Sequence, residues 1–212
     1  EYSSFEINVN SPSLENNEFE LTAAECEQTA LDETNVQWTE PILPGYTGTC
    51  IINNEFGGPD SAGDFILVHT DVILVLRNAP GGIVDGAMMQ VDGALVLENT
   101  LFANMGLLQV DGYLHIDEDS RFYNIGITTQ SITYQGETIE FTGLGELIVG
   151  PNASVLLESE LKNSNSIDNA GTFDINMCSG SIDNIRAATI TNVENGVVNE
   201  IACDEQANVA DE

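Results

Sequence analysis

The segment from Gln90 to Ile127 repeats itself, and that repeat limits the folds open to this chain more than any other feature. QVDGALVL at 90–97 returns as QVDGYLHI at 109–116, 109 − 90 = 19 residues later, with Gln, Val, Asp, Gly and one Leu identical. NTLFANMGL at 99–107 matches DSRFYNIGI at 119–127, offset by 20 because the second copy carries one extra residue. An apolar/polar alternation that returns in register every 19–20 residues, with the same turn residues, describes one coil stacked on the next. The expectation is an all-β chain folded as a parallel β-helix, a solenoid of irregular coils of about 20 residues. The alternative is a β-sandwich or jelly roll, which places strands about 8–12 residues apart without register-matched self-similarity.

In a β-helix, equivalent residues of successive coils stack about 4.8 Å apart. Leu95 then lies under Leu114, Leu97 under Ile116, Phe102 under Phe122 and Asn104 under Asn124. Stacked asparagines can hydrogen-bond along the ladder. An NxG motif recurs at Asn104–Gly106, Asn124–Gly126 and Asn169–Gly171, and reads as one recurrent corner. VDG occurs at 84–86, 91–93 and 110–112. There Asp can bond its own backbone and Gly accepts positive φ, so each copy reads as a turn.

The pattern extends beyond the clear pair. GELIVGPNASVLL at 145–157 resumes the rhythm of 112–123 at an offset longer than one coil, which implies an insertion or an irregular coil within 128–143. SIDNAGTFDI at 166–175 matches SIDNIRAATI at 181–190, offset 15. We therefore assign 61–203 to the solenoid and 204–212 to an acidic tail. Residues 1–60 read as an N-terminal β cap or assembly region. Within it Phe5, Ile7 and Val9 alternate as a half-buried strand suited to pairing with a neighbour, and Phe19 and Leu21 alternate likewise. The one helical candidate is 21–33, where Leu21, Ala24 and Leu31 are poorly placed for an apolar stripe, so the chain otherwise reads as all-β.

Charge narrows the partners. There are 35 acidic residues against four basic ones, a formal −31. Nucleic acids and anionic membranes are bound by Lys and Arg, so neither is an expected partner. No run of about 18 apolar residues is present to span a bilayer. The acidity fits a solvated surface, a high-salt environment, or divalent cations. Calcium takes carboxylate oxygens, and Asp60 with Asp64, and Asp117, Glu118 and Asp119, are the candidate ligands. No EF-hand or calcium β-roll motif accompanies them, and no cofactor is required. Asp92 and Asp111 fall one rung apart, where two carboxylates repel unless each caps a turn amide or a cation lies between them. The turn role is the better reading.

The four cysteines form no CxxC pair, so zinc and thioredoxin chemistry have no support. Three disulfide pairings are open, of which Cys26–Cys50 and Cys178–Cys203 would staple the two ends of the chain. Disulfides, scarce lysine and a first residue other than Met fit an extracellular or cell-surface protein, as does the Asn152-Ala-Ser154 glycosylation sequon.

The rhythm of strand, NxG, strand and DG over about 84–200 resembles the right-handed parallel β-helix repeats of bacterial surface proteins: adhesins, secreted exoproteins and fibre subunits. The resemblance implies a secreted scaffold or adhesive role and carries no functional residue onto this chain. Enzymatic motifs of the GxSxG, HExxH and P-loop kinds are absent from the sequence. Carboxylates abound, but one Trp and five Tyr offer few platforms for a sugar, and few bases are at hand to neutralise a uronate. His69 and His115 are isolated, and His115 alternates outward on its strand.

The expectation is a non-enzymatic extracellular subunit that polymerises with itself, stabilised by calcium. The alternatives are an adhesive or carbohydrate-binding module, with Tyr113, Tyr123 and Tyr134 as candidate platforms, and a carbohydrate-active enzyme.

Overall fold

A computed structural model describes residues 18–54, 56–126, 130–134, 137–184, 188–193 and 195–202. The first, partial coil holds β1 (Glu18–Leu21), α1 (Ala23–Asp32), β2 (Val36–Thr39) and β3 (Gly48–Asn53). The second coil is β4 (Phe65–Val68), β5 (Val72–Arg77) and β6 (Gly81–Ile83), and the third is β7 (Met88–Val91), β8 (Ala94–Glu98) and β9 (Leu101–Asn104). The fourth is β10 (Leu107–Val110), β11 (Tyr113–Ile116) and β12 (Arg121–Asn124), followed by the hairpin β13 (Gln130–Tyr134) and β14 (Glu137–Phe141). β15 (Glu146–Val149), β16 (Ser154–Leu157) and β17 (Glu160–Asn163) make the fifth coil, and β18 (Ser166–Asn169), β19 (Thr172–Asn176) and β20 (Ser181–Asn184) the sixth. The chain ends its coils with β21 (Thr189–Asn192) and β22 (Val197–Ile201).

These strands stack as a β-solenoid of about six turns with three faces. Sheet A runs β1-β4-β7-β10-β15-β18-β21, sheet B runs β2-β3-β5-β8-β11-β16-β19-β22, and sheet C runs β20-β17-β12-β9-β6. All neighbours within these sheets are parallel except β2 and β3. The solenoid expectation therefore holds, and the sandwich does not. The register is the expected one at the clear repeat: Leu95 pairs with Leu114, Leu97 with Ile116, Phe102 with Phe122 and Asn104 with Asn124.

Period-2 alternation builds the interior. Ile66, Met89, Leu108, Leu147 and Ile167 form one inward column of sheet A, and Leu74, Leu95, Leu114, Val155 and Phe173 one of sheet B. Phe102 and Phe122 stack in the core with centroids 5.7 Å apart. Each fully buried side chain of this size stabilises by roughly 1.5–3 kcal/mol, and every coil repeats the same inward set.

Asparagine columns close two corners. Asn104 donates to Asn124, Asn124 to Asn163 and Asn163 to Asn184, each at 2.9 Å, along the end of sheet C. Asn169 donates to Asn192 at 3.0 Å along the end of sheet A. The NxG motifs thus mark two corners, not one: Asn104 and Asn124 leave sheet C, whereas Asn169 leaves sheet A.

Two sequence matches prove to compare different faces. Leu147 pairs with Leu108 on sheet A, so the step from β10 to β15 is about twice as long as the step from β7 to β10. The extra length is therefore a whole further coil's worth of chain. The match of 145–157 to 112–123 sets β15 of sheet A against β11 of sheet B, and so understates it. The match of 166–175 to 181–190 likewise sets β18 of sheet A against β20 of sheet C. Every strand here carries the same alternation, so periodicity alone does not say which face it belongs to.

The extra length forms the β13–β14 hairpin, which covers the outside of sheet C. Ile132 and Phe141 pack there against Leu101, Ala103, Tyr123 and Ile125. At the other end, β1 and β3 join sheets A and B directly, so the described part of 1–60 continues the solenoid stack as well as closing it. α1 and β2 form that closure. The helix has little apolar stripe, since Cys26 is its one buried residue. A capping box starts it instead: Glu25 N donates to Thr22 Oγ1 at 3.3 Å, and Thr22 N donates to the Glu25 carboxylate at 3.4 Å. The Cys26–Cys50 disulfide then ties it to β3. Cys178 is not a free thiol. Its expected partner Cys203, the tail expected at 204–212, and Phe5, Ile7 and Val9 of the expected assembly strand lie outside the described residues.

Candidate functional site

The VDG corners are the first acidic candidates. Asp92 and Asp111 stand between sheets A and B in successive coils, and each carboxylate accepts from the glutamine two residues earlier. Gln90 Nε2 donates to Asp92 at 2.8 Å and Gln109 Nε2 to Asp111 at 2.6 Å. Among the described residues, neither carboxylate caps a turn amide as the turn reading requires. Nor do these glycines supply positive φ: of the three VDG copies only Gly86 has it, at 81°, on a different corner. Gly93 and Gly112 are needed for close approach, because a Cβ on Gly112 would overlap the carbonyl oxygens of Gly93 and Asp92 one rung away. The QVDG sequence is a corner that sets coil spacing.

The structure places the candidate calcium ligands at separate corners. Asp64 accepts from the Ser61 amide at 3.0 Å and Asp60 from the Ser61 hydroxyl at 3.3 Å, in the loop before β4. Asp117 follows β11, two coils further on, and both its carboxylate oxygens accept from the Asn99 amide at 3.2 Å. That bond serves a corner where Asn54, Asn78 and Asn99 all adopt positive φ (74°, 49° and 46°), a conformation asparagine tolerates better than most residues. Glu118 and Asp119 are exposed beside it. Among the described residues, no three His, Cys, Asp or Glu side chains converge as an ion-binding group.

Two other features stand out, and neither is visible as a motif. The first is the outer face of sheet B. Residues between β2 and β3, with Pro41, Pro44 and Gly45 at φ 94°, fold back over this face. Leu43 and Tyr46 pack there on Ile51, Ile73, Val75, Ala94 and Val96, alongside Tyr113. Where that cover ends, a groove of about 370 Å³ opens, lined by Leu43, Pro44, Tyr46, Gly112, Tyr113, Asn152 and Ser154. Beside it His115 Nε2 lies 2.7 Å from Glu158 Oε2, and Asn176 Nδ2 donates to Glu158 Oε1 at 3.2 Å. Burial raises the Tyr113 phenol above its ordinary pKa, and the charges of Glu158 and Asp174 raise it further; burial also raises Tyr46. Both tyrosines therefore stay protonated well past neutral pH. Of the expected aromatic platforms, Tyr123 is buried under the hairpin with Lys162 Nζ 6.0 Å from its ring, and the Tyr134 side chain lies outside the described residues.

The second feature is the contrast between the two ends. At the first coil Leu21 of β1, Cys26 of α1 and Val36 of β2 are all buried, so the closure by α1 and β2 covers the core there. At the last coil Ile182, Ile190 and Val198 point into the core from β20, β21 and β22 but remain partly exposed. Val193 and Val197 are 36% and 46% exposed nearby. Among the described residues nothing covers these three edge strands.

The fold and the paired Cys26–Cys50 define a disulfide-bonded β-solenoid, in which no described helix is long and apolar enough to cross a membrane. Comparison with known protein families, characterised proteins and solved structures returned no match.

Proposed function

We propose that this chain is a secreted structural subunit that self-assembles end to end into a filament, sheath or surface layer. The observation that carries the reading is the last coil, which no other described residue covers. Among the described residues its three edge strands have backbone donors and acceptors without a partner, above half-exposed Ile182, Ile190 and Val198. Sheet edges of this kind pair with another chain unless they are blocked. Proteins block them with charge, yet β20, β21 and β22 together hold only Asp183 and Glu200 as charged residues. Such an end on a chain of formal charge −31 is a local relief from repulsion. A disulfide supports an oxidising, extracellular setting.

Sedimentation velocity and negative-stain microscopy test this, from about 0.1 M to about 1 M salt, which shortens the screening length from about 10 to 3 Å. Growth in particle size with salt and protein concentration is expected. Lysines at the exposed edge positions Thr189 and Thr191 should hold the protein monomeric without unfolding it. Millimolar calcium added at low salt tests the acidic flanks, and should act as a cross-linker beyond its ionic strength if Asp60, Asp64 and Asp117–Asp119 bind it. Deleting residues 1–17 asks whether the segment with Phe5, Ile7 and Val9 contributes to growth. Strict monomers in every condition would overturn the proposal.

A further inference from the structure

Away from both ends, the groove on sheet B presents a fixed set of side chains. Its floor is regular sheet, so the side chains it presents are held by backbone pairing on both flanks: Tyr113 pairs with Ala94 and Ser154, and Ser154 with Thr172. Its opposite wall is the segment carrying Leu43, Pro44 and Tyr46, anchored where the Thr47 amide donates to the Asp71 carbonyl at 2.7 Å. Both walls are positioned by the fold without help from a ligand.

The chemistry inside is mixed in a specific way. Two tyrosine rings offer apolar faces with hydroxyl tips, and Pro44 and Leu43 extend the apolar wall. Asn152 and Ser154 are exposed at the facing corner, and neither side chain, nor either tyrosine hydroxyl, hydrogen-bonds to another described residue. The groove therefore gathers an amide donor, an amide acceptor and three hydroxyls around aromatic surface. No charged side chain is among the residues that line it, and the charges of Glu158 and Asp174 act on Tyr113. At about 370 Å³ it sits at the low end of small-molecule pockets, about 300–1,000 Å³.

We propose that this groove binds a neutral pyranose saccharide, one or two rings long, through Tyr46 and Tyr113 with Asn152 and Ser154 bonding its hydroxyls. A pyranose has one face of C–H groups for a tyrosine ring and a rim of hydroxyls that both donate and accept, which is the complement of this lining. Acidic sugars are disfavoured, because a uronate or sulfate would enter the field of Glu158 and Asp174 on a chain of formal charge −31 with no base in the groove. The tilted contact of Tyr113 with His115, centroids 6.2 Å apart, continues the surface along the sheet for a second ring. The site lies on the flank of the fourth and fifth coils, so it stands independently of assembly at the last coil.

The test uses the full chain made in a host that does not glycosylate, so that the Asn152 sequon stays unmodified. A panel of neutral di- and tetrasaccharides (gluco-, manno-, galacto- and N-acetylglucosamine series) and a matched oligogalacturonate is titrated by saturation-transfer NMR and calorimetry. At least one neutral series should bind with Kd on the order of 1 mM or tighter, with little dependence on salt, while the oligogalacturonate does not. Tyr113→Ala and Tyr46→Ala should each weaken binding about tenfold, the loss of one ring contact. Tyr113→Phe keeps the ring and the packing, and should weaken binding by less than Tyr113→Ala, with an unchanged far-ultraviolet spectrum for both. Binding of no neutral saccharide, binding unaffected by both tyrosine variants, or preference for the uronate would overturn the assignment. So would displacement of every bound sugar by an unrelated peptide at equal concentration, which would mark a generic apolar cleft.

Discussion

Asn124 is the residue whose replacement most directly tests how the coils are held together. It is fully buried and its side chain makes three hydrogen bonds: it accepts from Asn104 Nδ2 and donates to Asn163 Oδ1 and the Ser166 carbonyl, each at 2.9 Å. Asn124→Ala removes all three. At about 1 kcal/mol net per buried bond, the expected loss is about 3 kcal/mol. Most former partners keep a second bond, which holds the figure there: Asn104 Nδ2 retains the Glu146 carbonyl, and Asn163 Oδ1 retains the Asn165 amide. Asn124→Asp should cost more than alanine, because it keeps the acceptors, loses both donated bonds and places a charge in the core. Asn184, at the exposed end of the same ladder, accepts one bond from Asn163, so Asn184→Ala should cost about 1 kcal/mol or less. Urea unfolding followed by circular dichroism gives the ranking. Hydrogen exchange along β12, β17 and β18 guards against coils melting separately, as stacked repeats do. If Asn124→Ala matches wild type, or matches Asn184→Ala, the ladder does not stabilise the stack and the reasoning fails.

Three further outcomes are expected. Gly112→Ala should destabilise by about 2 kcal/mol or more, since its Cβ meets carbonyl oxygens that cannot move away, whereas Gly63→Asn, at φ 93° with open space around it, should be nearly neutral in the same denaturation assay. Replacing Cys26 and Cys50 by alanine reopens a loop of 24 residues and should cost about 3.5 kcal/mol, seen as fast exchange confined to α1 and its contact with β3 while later coils stay protected. Tyr113 and Tyr46 have pKa values raised in the fold, so their contribution to pH dependence is absent below about pH 10 and lowers stability as pH rises above it, where the unfolded chain ionises first. Alkaline titration at the tyrosinate absorbance should show a late component that Tyr113→Phe reduces and leaves to Tyr46; a Tyr113 that titrates with the exposed phenols would contradict its burial.

The sequence by itself determined the coil. A period-2 alternation that returns in register with each coil is a local property, and it suffices to say which side chains point inward and which residues of adjacent copies stack: Leu95 on Leu114, Phe102 on Phe122, Asn104 on Asn124. The helix was only a candidate at 21–33, because the apolar stripe that usually accompanies a helix is missing; the capping box of Thr22 and Glu25 that starts it came from the structure. Only the tertiary structure decided which face each later strand joins. All three faces share one alternation, and β18 even resembles β20 more closely than its true neighbours β15 and β21: both read SIDN. The same holds for the candidate sites. His115 and Glu158 meet across 43 residues, and Tyr46 reaches Tyr113 because the segment before β3 doubles back over sheet B. Such meetings depend on how many residues each corner and insertion contains, and no local pattern encodes them. The QVDG repeat announced the coil because neighbouring coils must match in register. The groove and the open end gave no such signal, because nothing in the chain has to repeat to form them.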